Sequence, residues 1–290
     1  RKRDHTPLHL AVINGKANLV KLLLQHQKIK LNIQDAGGRT SLMYASRAGH
    51  SEIVRLLLRR EEIEINPRCS LGMTALMHAS LKGHGKIVEL LLKHEKIELN
   101  LKDTAGYSEV HHAVAGNHSD VFRLLLEQEK IDPNLSGGTF GHVPLHILAI
   151  TDNHDLAKTL LDSDKIDVNR FTGDHQTALH LAVRENNQEI VKLLLNHKDI
   201  DVNLKCASGL PAFNYAVIKE HISIMRLLLQ HPKIKPNLQA DVAGRSAPLH
   251  KAVMLSLADV VEVLVYSDKV DVNQLTGDGY TALHLAARFP

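Results

Sequence analysis

The sequence predicts an all-α solenoid of stacked helix–turn–helix units with short hairpin-like fingers between them. Three observations carry this reading. First, the stretch Thr177–Asn203, TALHLAVRENNQEIVKLLLNHKDIDVN, is restated as TALMHASLKGHGKIVELLLKHEKIELN over Thr74–Asn100 and TSLMYASRAGHSEIVRLLLRREEIEIN over Thr40–Asn66, the last two 34 residues apart. Self-similarity at such a fixed period is the signature of repeat architectures. Second, each unit holds two apolar periodic segments of about ten residues, too short to persist alone in water, so units must stack. Third, hydrophobic residues make up 44% of the chain and aromatics 3%, with no Trp. That suits a layered core of Leu, Ile, Val and Ala. Because each repeat touches only its neighbours, 290 residues need not close around one centre.

Within a unit, each element has its own reason. Thr177 is a good N-cap, its hydroxyl able to accept a backbone N–H of the first turn, and Ala, Pro or Ser follows that position in most copies. Leu179, Ala182 and Val183 give the first helix an apolar stripe at i, i+3 and i+4. Asn186-Asn187 then breaks the pattern where other copies carry Gly49-His50 or Gly83-His84, residue types that reach a left-handed backbone easily. Ile190, Val191, Leu193, Leu194 and Leu195 make a second helix that is apolar most of the way round and needs cover on more than one side.

Each finger begins at an Asn (32, 66, 100, 134, 169, 203, 237 and 273 in turn), expected to bond nearby backbone or adopt a left-handed turn. The fingers vary most. The fifth-copy finger, NLSGGTFGHV, is one residue longer and the eighth-copy finger, NLQADVAGRSA, two longer. Insertions in repeat proteins collect on one face, often the binding face.

The start of the first helix carries a recurring motif. It stands as TPLHLA at Thr6–Ala11, TALHLA at Thr177–Ala182 and Thr281–Ala286, and APLHKA at Ala247–Ala252. Degenerate forms are TSLMYA from Thr40, TALMHA from Thr74, SEVHHA from Ser108, VPLHIL from Val143 and PAFNYA from Pro211. In this T-P-L-H-x-A pattern the chain resembles an ankyrin-repeat protein. Nine full or partial copies cover essentially all of it, so residues 1–290 are expected to form a single array. One departure is an extra residue in the segment after LLL, as in HKDIDVN, which lengthens that loop. The first copy opens at Asp4-His5-Thr6 and the ninth stops at Arg288-Phe289-Pro290, neither with a polar capping face. The chain is therefore expected to be part of a longer protein.

The resemblance implies a protein–protein interaction module that binds a partner along the concave surface made by fingers and first helices. Carried over residue by residue, that surface would include Arg39, Arg47, Arg68, Met73, Lys82, Lys102, Tyr107, Phe171, Arg184, Lys205, Lys219 and Tyr280. Aromatics favour binding hot spots. Tyr107, Phe140, Phe171 and Tyr280 fall in fingers, where the repeat offers them no core, whereas Phe122 and Phe213 replace core residues. The fingers of copies four to six, with Tyr107, Phe140 and Phe171, are the expected centre of the interface.

Twenty histidines invite metal or catalytic chemistry, but repeat position accounts for most of them. His9, His111, His146, His180, His250 and His284 fill the H of the motif, which in the family bonds within and between repeats. His26, His94, His197 and His231 end second helices, where a partly protonated ring would suit the dipole. His111-His112 with His118 is the densest cluster, yet no zinc-type ligand spacing accompanies it. Ser136-Gly137-Gly138-Thr139 lacks the G-K-[ST] ending of a phosphate loop. No catalytic set is recognisable, and no metal, cofactor or enzymatic activity is expected.

Residues 1–60 hold 12 Lys/Arg against 3 Asp/Glu, while the rest of the chain is net acidic. The basic end would favour an acidic partner surface, and binding of an anionic ligand or nucleic acid there is an alternative reading. Another is a regulatory or sensory segment of a larger enzyme or channel. Neither nucleic acid nor a small molecule is the partner expected first. Cys69 and Cys206 lie four repeats apart, roughly 40 Å at ~10 Å per helix layer, too far for a disulfide. Two unpaired thiols fit a reducing compartment, so an intracellular location, in cytoplasm or nucleus, is expected despite the sequons at Asn117 and Asn134. No apolar run is long enough to insert in a membrane.

Overall fold

The computed structural model describes residues 4–26, 28–240 and 246–288. Those residues hold 17 α-helices, and the chain divides into two compact units, Arg1–Pro144 and Leu145–Pro290. The first unit contains four helix pairs: α1 (Pro7–Ile13) with α2 (Ala17–Leu24), α3 (Ser41–Ala48) with α4 (Ser51–Leu58), α5 (Ala75–Lys82) with α6 (Gly85–Leu92), and α7 (Glu109–Ala115) with α8 (Ser119–Leu126). First helices pack in one row (α1 on α3, α3 on α5, α5 on α7) and second helices in another (α2 on α4, α4 on α6, α6 on α8).

The second unit repeats the scheme. α9 (Pro144–Thr151) precedes α10 (His154–Leu161), followed by α11 (Ala178–Arg184) with α12 (Gln188–Leu195), α13 (Ala212–Ile218) with α14 (Ile222–Gln230), α15 (Pro248–Met254) with α16 (Ala258–Val265), and α17 (Ala282–Arg288). Again first helices stack on first helices (α11 on α13, α13 on α15, α15 on α17) and second on second (α10 on α12, α12 on α14, α14 on α16).

The local chemistry matches the sequence logic. Thr6, Thr40, Thr74 and Thr177 sit in extended backbone and accept an N–H from the third helical residue. The inter-helix turns are left-handed at Gly49, Gly83 and Asn186. Leu179, Ala182, Val183, Ile190, Val191 and Leu194 are all buried, as are Phe122 and Phe213. The eighth-copy finger falls partly outside the described residues, between Ala240 and Ser246.

Candidate partner-binding face

Most of the recurrent motif histidines and finger asparagines are occupied in holding the stack together. In the first unit the motif histidines act as two-ended clamps. Nδ1 of His9 accepts the Thr6 N–H (3.2 Å) and its Nε2 bonds the Arg39 carbonyl of the next finger (3.1 Å). His111 does the same with Ser108 N–H and the His142 carbonyl. In the second unit His180 joins Thr177 N–H to the Leu210 carbonyl, and His250 joins Ala247 N–H to the Gln274 carbonyl. Accepting on one nitrogen and donating from the other requires a neutral ring. Burial enforces it, holding His111 and His180 at about 4 against the pull of their carbonyl partners.

The finger asparagines act between repeats, which corrects the local role expected from sequence. Asn66 Nδ2 donates to the Lys96 carbonyl (2.8 Å) and its Oδ1 accepts the Glu98 N–H (3.0 Å). Asn32, Asn100, Asn169 and Asn203 repeat this pair of bonds to residues 30 and 32 positions further on. Of these eight described residues, only Asn100 has a positive φ, 65°. The histidines that end second helices are also reassigned. His26, His94, His197 and His231 accept the backbone N–H two residues on at Nδ1, so each caps a turn as an acceptor. The sequence cluster His111, His112 and His118 disperses onto the carbonyl of His142, the carboxylate of Asp103 and the carbonyl of Leu81 respectively.

Each finger is a short hairpin closed by a backbone bond, as from Asp35 N–H to the Arg39 carbonyl (3.0 Å) and from Cys206 N–H to the Leu210 carbonyl (3.0 Å). In the first unit the fingers also touch one another. Ser70 N–H bonds the Gly37 carbonyl, Thr104 N–H the Leu71 carbonyl and Gly138 N–H the Ala105 carbonyl. Contact is close enough to demand glycine at Gly72, where φ is +75° and a Cβ would lie 2.6 Å from Thr104 N.

The expected contact residues fall into three groups. Arg47, Lys82, Phe140 (56% exposed), Phe171 (37%), Lys219 and Tyr280 (38%) are open to solvent on fingers or first helices. Each of these aromatics leans on a histidine of its own copy: Phe140 on His142, Phe171 on His175 and Tyr280 on His284. A second group bridges fingers. The Arg68 guanidinium bonds the Gly72 and Lys102 carbonyls, Lys102 Nζ bonds the Ser136 carbonyl (2.8 Å), and Lys205 Nζ bonds the Gln239 carbonyl (3.2 Å). Half-exposed Arg184 is held by Gln176 and Glu185, and half-exposed Arg39 stands over the Tyr44 ring.

The third group corrects the sequence reading. Met73 is only 7% exposed and lies in the core. Tyr107 is half-buried under the next finger, against Gly137 and Gly138, where an added Cβ would come within 2.6 Å and 2.4 Å of its side chain. The glycines of NLSGGTFGHV make room for this ring.

Below the fingers, a second set of contacts runs from finger to helix. Asp35 accepts the Gly37 and Arg39 N–H groups and the Tyr44 hydroxyl (2.5 Å), with His5 beside it. Burial pushes the Asp35 carboxyl up, but these donors outweigh it and hold it at about 2. Asp103 repeats the arrangement, accepting the Ala105 and Tyr107 N–H groups and bonding His112 Nε2 (3.0 Å).

The sequence profile for ankyrin repeats in three copies matches residues 1–69, 62–136, 129–206, 145–241 and 213–289, overlapping along almost the entire chain. The chain belongs to the ankyrin-repeat family. Two solved ankyrin domains share the fold. The ankyrin repeat domain of Bcl-3, described as a unique member of the IkappaB protein family, is 24% identical with a TM-score of 0.70, over 78% of this chain and 100% of that one. The human ASB11 ankyrin repeat domain is 25% identical with a TM-score of 0.58, over 72% of this chain and 90% of that one. No curated protein matches the sequence significantly. Ankyrin domains are generally protein-interaction modules and typically non-catalytic. Among the described residues no group of three His, Cys, Asp or Glu could hold a metal ion, and no helix is long and apolar enough to cross a membrane.

Proposed function

We propose that residues 1–290 serve as one ankyrin array that binds a partner protein through the concave face of fingers and first helices. The observation that supports this is the division of labour among side chains. The recurrent His and Asn are occupied by the scaffold, while Arg47, Lys82, Phe140, Phe171, Lys219 and Tyr280 stand exposed at positions the scaffold does not use. Rigid, pre-stacked units lower the ordering cost of association, so many moderate contacts suffice. Phe140 and Phe171 are the expected anchors, with basic residues at the rim and the basic end steering approach. The site of action is inside the cell, in keeping with two buried free thiols.

The test is to capture partners with the intact chain, identify them, and measure affinity for the retained protein. Phe140→Ala with Phe171→Ala should weaken binding by thirtyfold or more if these rings are hot spots, about 2 kcal/mol. Unchanged affinity in those folded variants and in Lys82→Glu and Lys219→Glu would remove this face from consideration.

A further inference from the structure

In the first unit, two of three consecutive fingers place a carboxylate beneath the first helix that follows. Asp35 pairs with Tyr44 and Asp103 with His112, each nine residues further on. The finger between them has Cys69 at that position, and nine residues on stands His78. His78 is only 5% exposed, and its Nε2 has no hydrogen-bond partner. Arg39 carries a buried, unpartnered Nε as well. Among the described residues, seven buried side-chain polar atoms lack partners, and five belong to Arg39, Ser41, Ser46, His78 and Ser80. Native proteins leave few such atoms, so a concentration of them in two adjacent repeats calls for a cause.

The charges around His78 are all of one sign. Burial first, and then Arg47, Arg39 and His112, together lower its pKa to about 4. The nearby carboxylates are engaged by their own fingers: Asp35 by Gly37, Arg39 and Tyr44, and Asp103 by Ala105, Tyr107 and His112. Arg47 on α3 is exposed, and Lys82 at the end of α5 is also exposed. This part of the face is therefore short of one negative charge relative to the repeats on either side.

We propose that the face of α3 and α5 around Arg39, Arg47 and His78 docks an acidic peptide segment of the partner, whose Asp or Glu supplies from outside the charge Asp35 and Asp103 supply from within. The inference rests on the concave-face reading above and adds the partner's chemistry. A peptide carboxylate is favoured over a nucleic-acid backbone because the need is for a single acid between paired ones. Arg47 presents a fork suited to bidentate contact with it. The remaining basic side chains of these fingers are partly occupied, Arg68 and Lys102 with neighbouring carbonyls.

The experiment uses the 1–290 chain and a fluorescein-labelled octapeptide of alternating Glu and Gly, with binding followed by anisotropy at low salt. The parent should bind saturably. Arg47→Gln should weaken binding at least fivefold, and Cys69→Asp, which restores the internal acid, should weaken it at least as much without lowering Tm. Arg184→Gln, in the second unit, should change it less than twofold. Absence of saturable binding, or binding indifferent to Arg47→Gln, overturns the proposal even if Cys69→Asp fails to fold. Equal affinity for a twelve-residue oligothymidylate with the same sensitivities also overturns it, by showing a general polyanion surface. The captured partner separates the two readings. If it loses affinity with Phe140→Ala and Lys219→Glu but ignores Arg47→Gln and Cys69→Asp, only this inference falls.

Discussion

At the same position of successive first helices, the first unit places Leu10, Tyr44, His78 and His112, and the second places Ile147, Leu181, Tyr215, Lys251 and Leu285. Beneath Tyr44, His78 and His112 the first unit has Asp35, Cys69 and Asp103, whereas the second unit has Thr172 and Cys206 under Leu181 and Tyr215. Thr172 still closes its finger, accepting the Gln176 N–H at 3.1 Å as Asp35 accepts the Arg39 N–H at 2.9 Å. The finger's internal bond thus survives the loss of the charge. Elsewhere the two units are alike: Asn66 and Asn203 make the same pair of inter-repeat bonds, and His9 and His180 the same clamp. The difference teaches where to look for specificity. Positions shared by both units build the stack, and specificity is to be sought where the copies differ.

The largest expected effect should be common to both units. Leu91→Ala and Leu194→Ala each remove a fully buried side chain from a second helix and should each cost about 2–5 kcal/mol in urea denaturation. A silent variant in one unit would break the equivalence of their cores.

Acid should separate the units. An unfolded histidine takes up its proton near 6.5, while a folded one held at about 4 does not, so stability is full above 6.5 and falls as pH drops toward 4. By pH 5 each such ring should cost about 2 kcal/mol. The first unit has two held at about 4, His78 and His111, and the second has His180. Hydrogen exchange at pH 7 and pH 5, corrected for intrinsic rates, should show α5 and α7 losing more protection than α11. The reverse order would contradict the assignment.

Asn66→Ala and Asn203→Ala should each lose about 1 kcal/mol, since each gives up two solvent-exposed bonds to the adjoining loop, whose backbone groups can turn to water. Thermal melts that differ strongly between them would show that one ladder rung is stronger than its geometry suggests. The smallest effects sharpen the comparison at the surface. Lys82→Ala and Lys219→Ala should each stay within about 0.5 kcal/mol. Lys205→Ala should cost about 1 kcal/mol, because its ammonium ties two fingers together.

Helices, caps, left-handed turns and core were legible because they depend on spacing within one unit, and a period repeats that spacing nine times over. Thr177, Asn186 and Leu194 all behave as that logic requires. Contacts that cross from one unit of the repeat to the next were not legible. Nothing local in Asn66 points to Lys96, and nothing in Lys205 points to Gln239, since those meetings depend on how neighbouring fingers are offset. Tyr107 was misread for the same reason: the pocket that takes it is made by glycines thirty residues later. Glu109 also escaped notice. It occupies the motif's proline position, yet is 1% exposed and accepts the Asn100 N–H at 2.7 Å.

The asparagine bridges give the chain a form of translational symmetry counted in residues. Removing residues 67–100 would hand Asn66 the Lys130 carbonyl and Asp132 N–H that Asn100 now holds, at the same offsets of 30 and 32. At Asn237 the offsets become 32 and 34, matching the two extra residues of that copy's finger, and both bonds persist. Loop length can therefore drift without breaking the bridge, and whole copies can be gained or lost without inventing a new junction. Copy number becomes a variable the gene can adjust by recombination, leaving each surviving finger free to diverge.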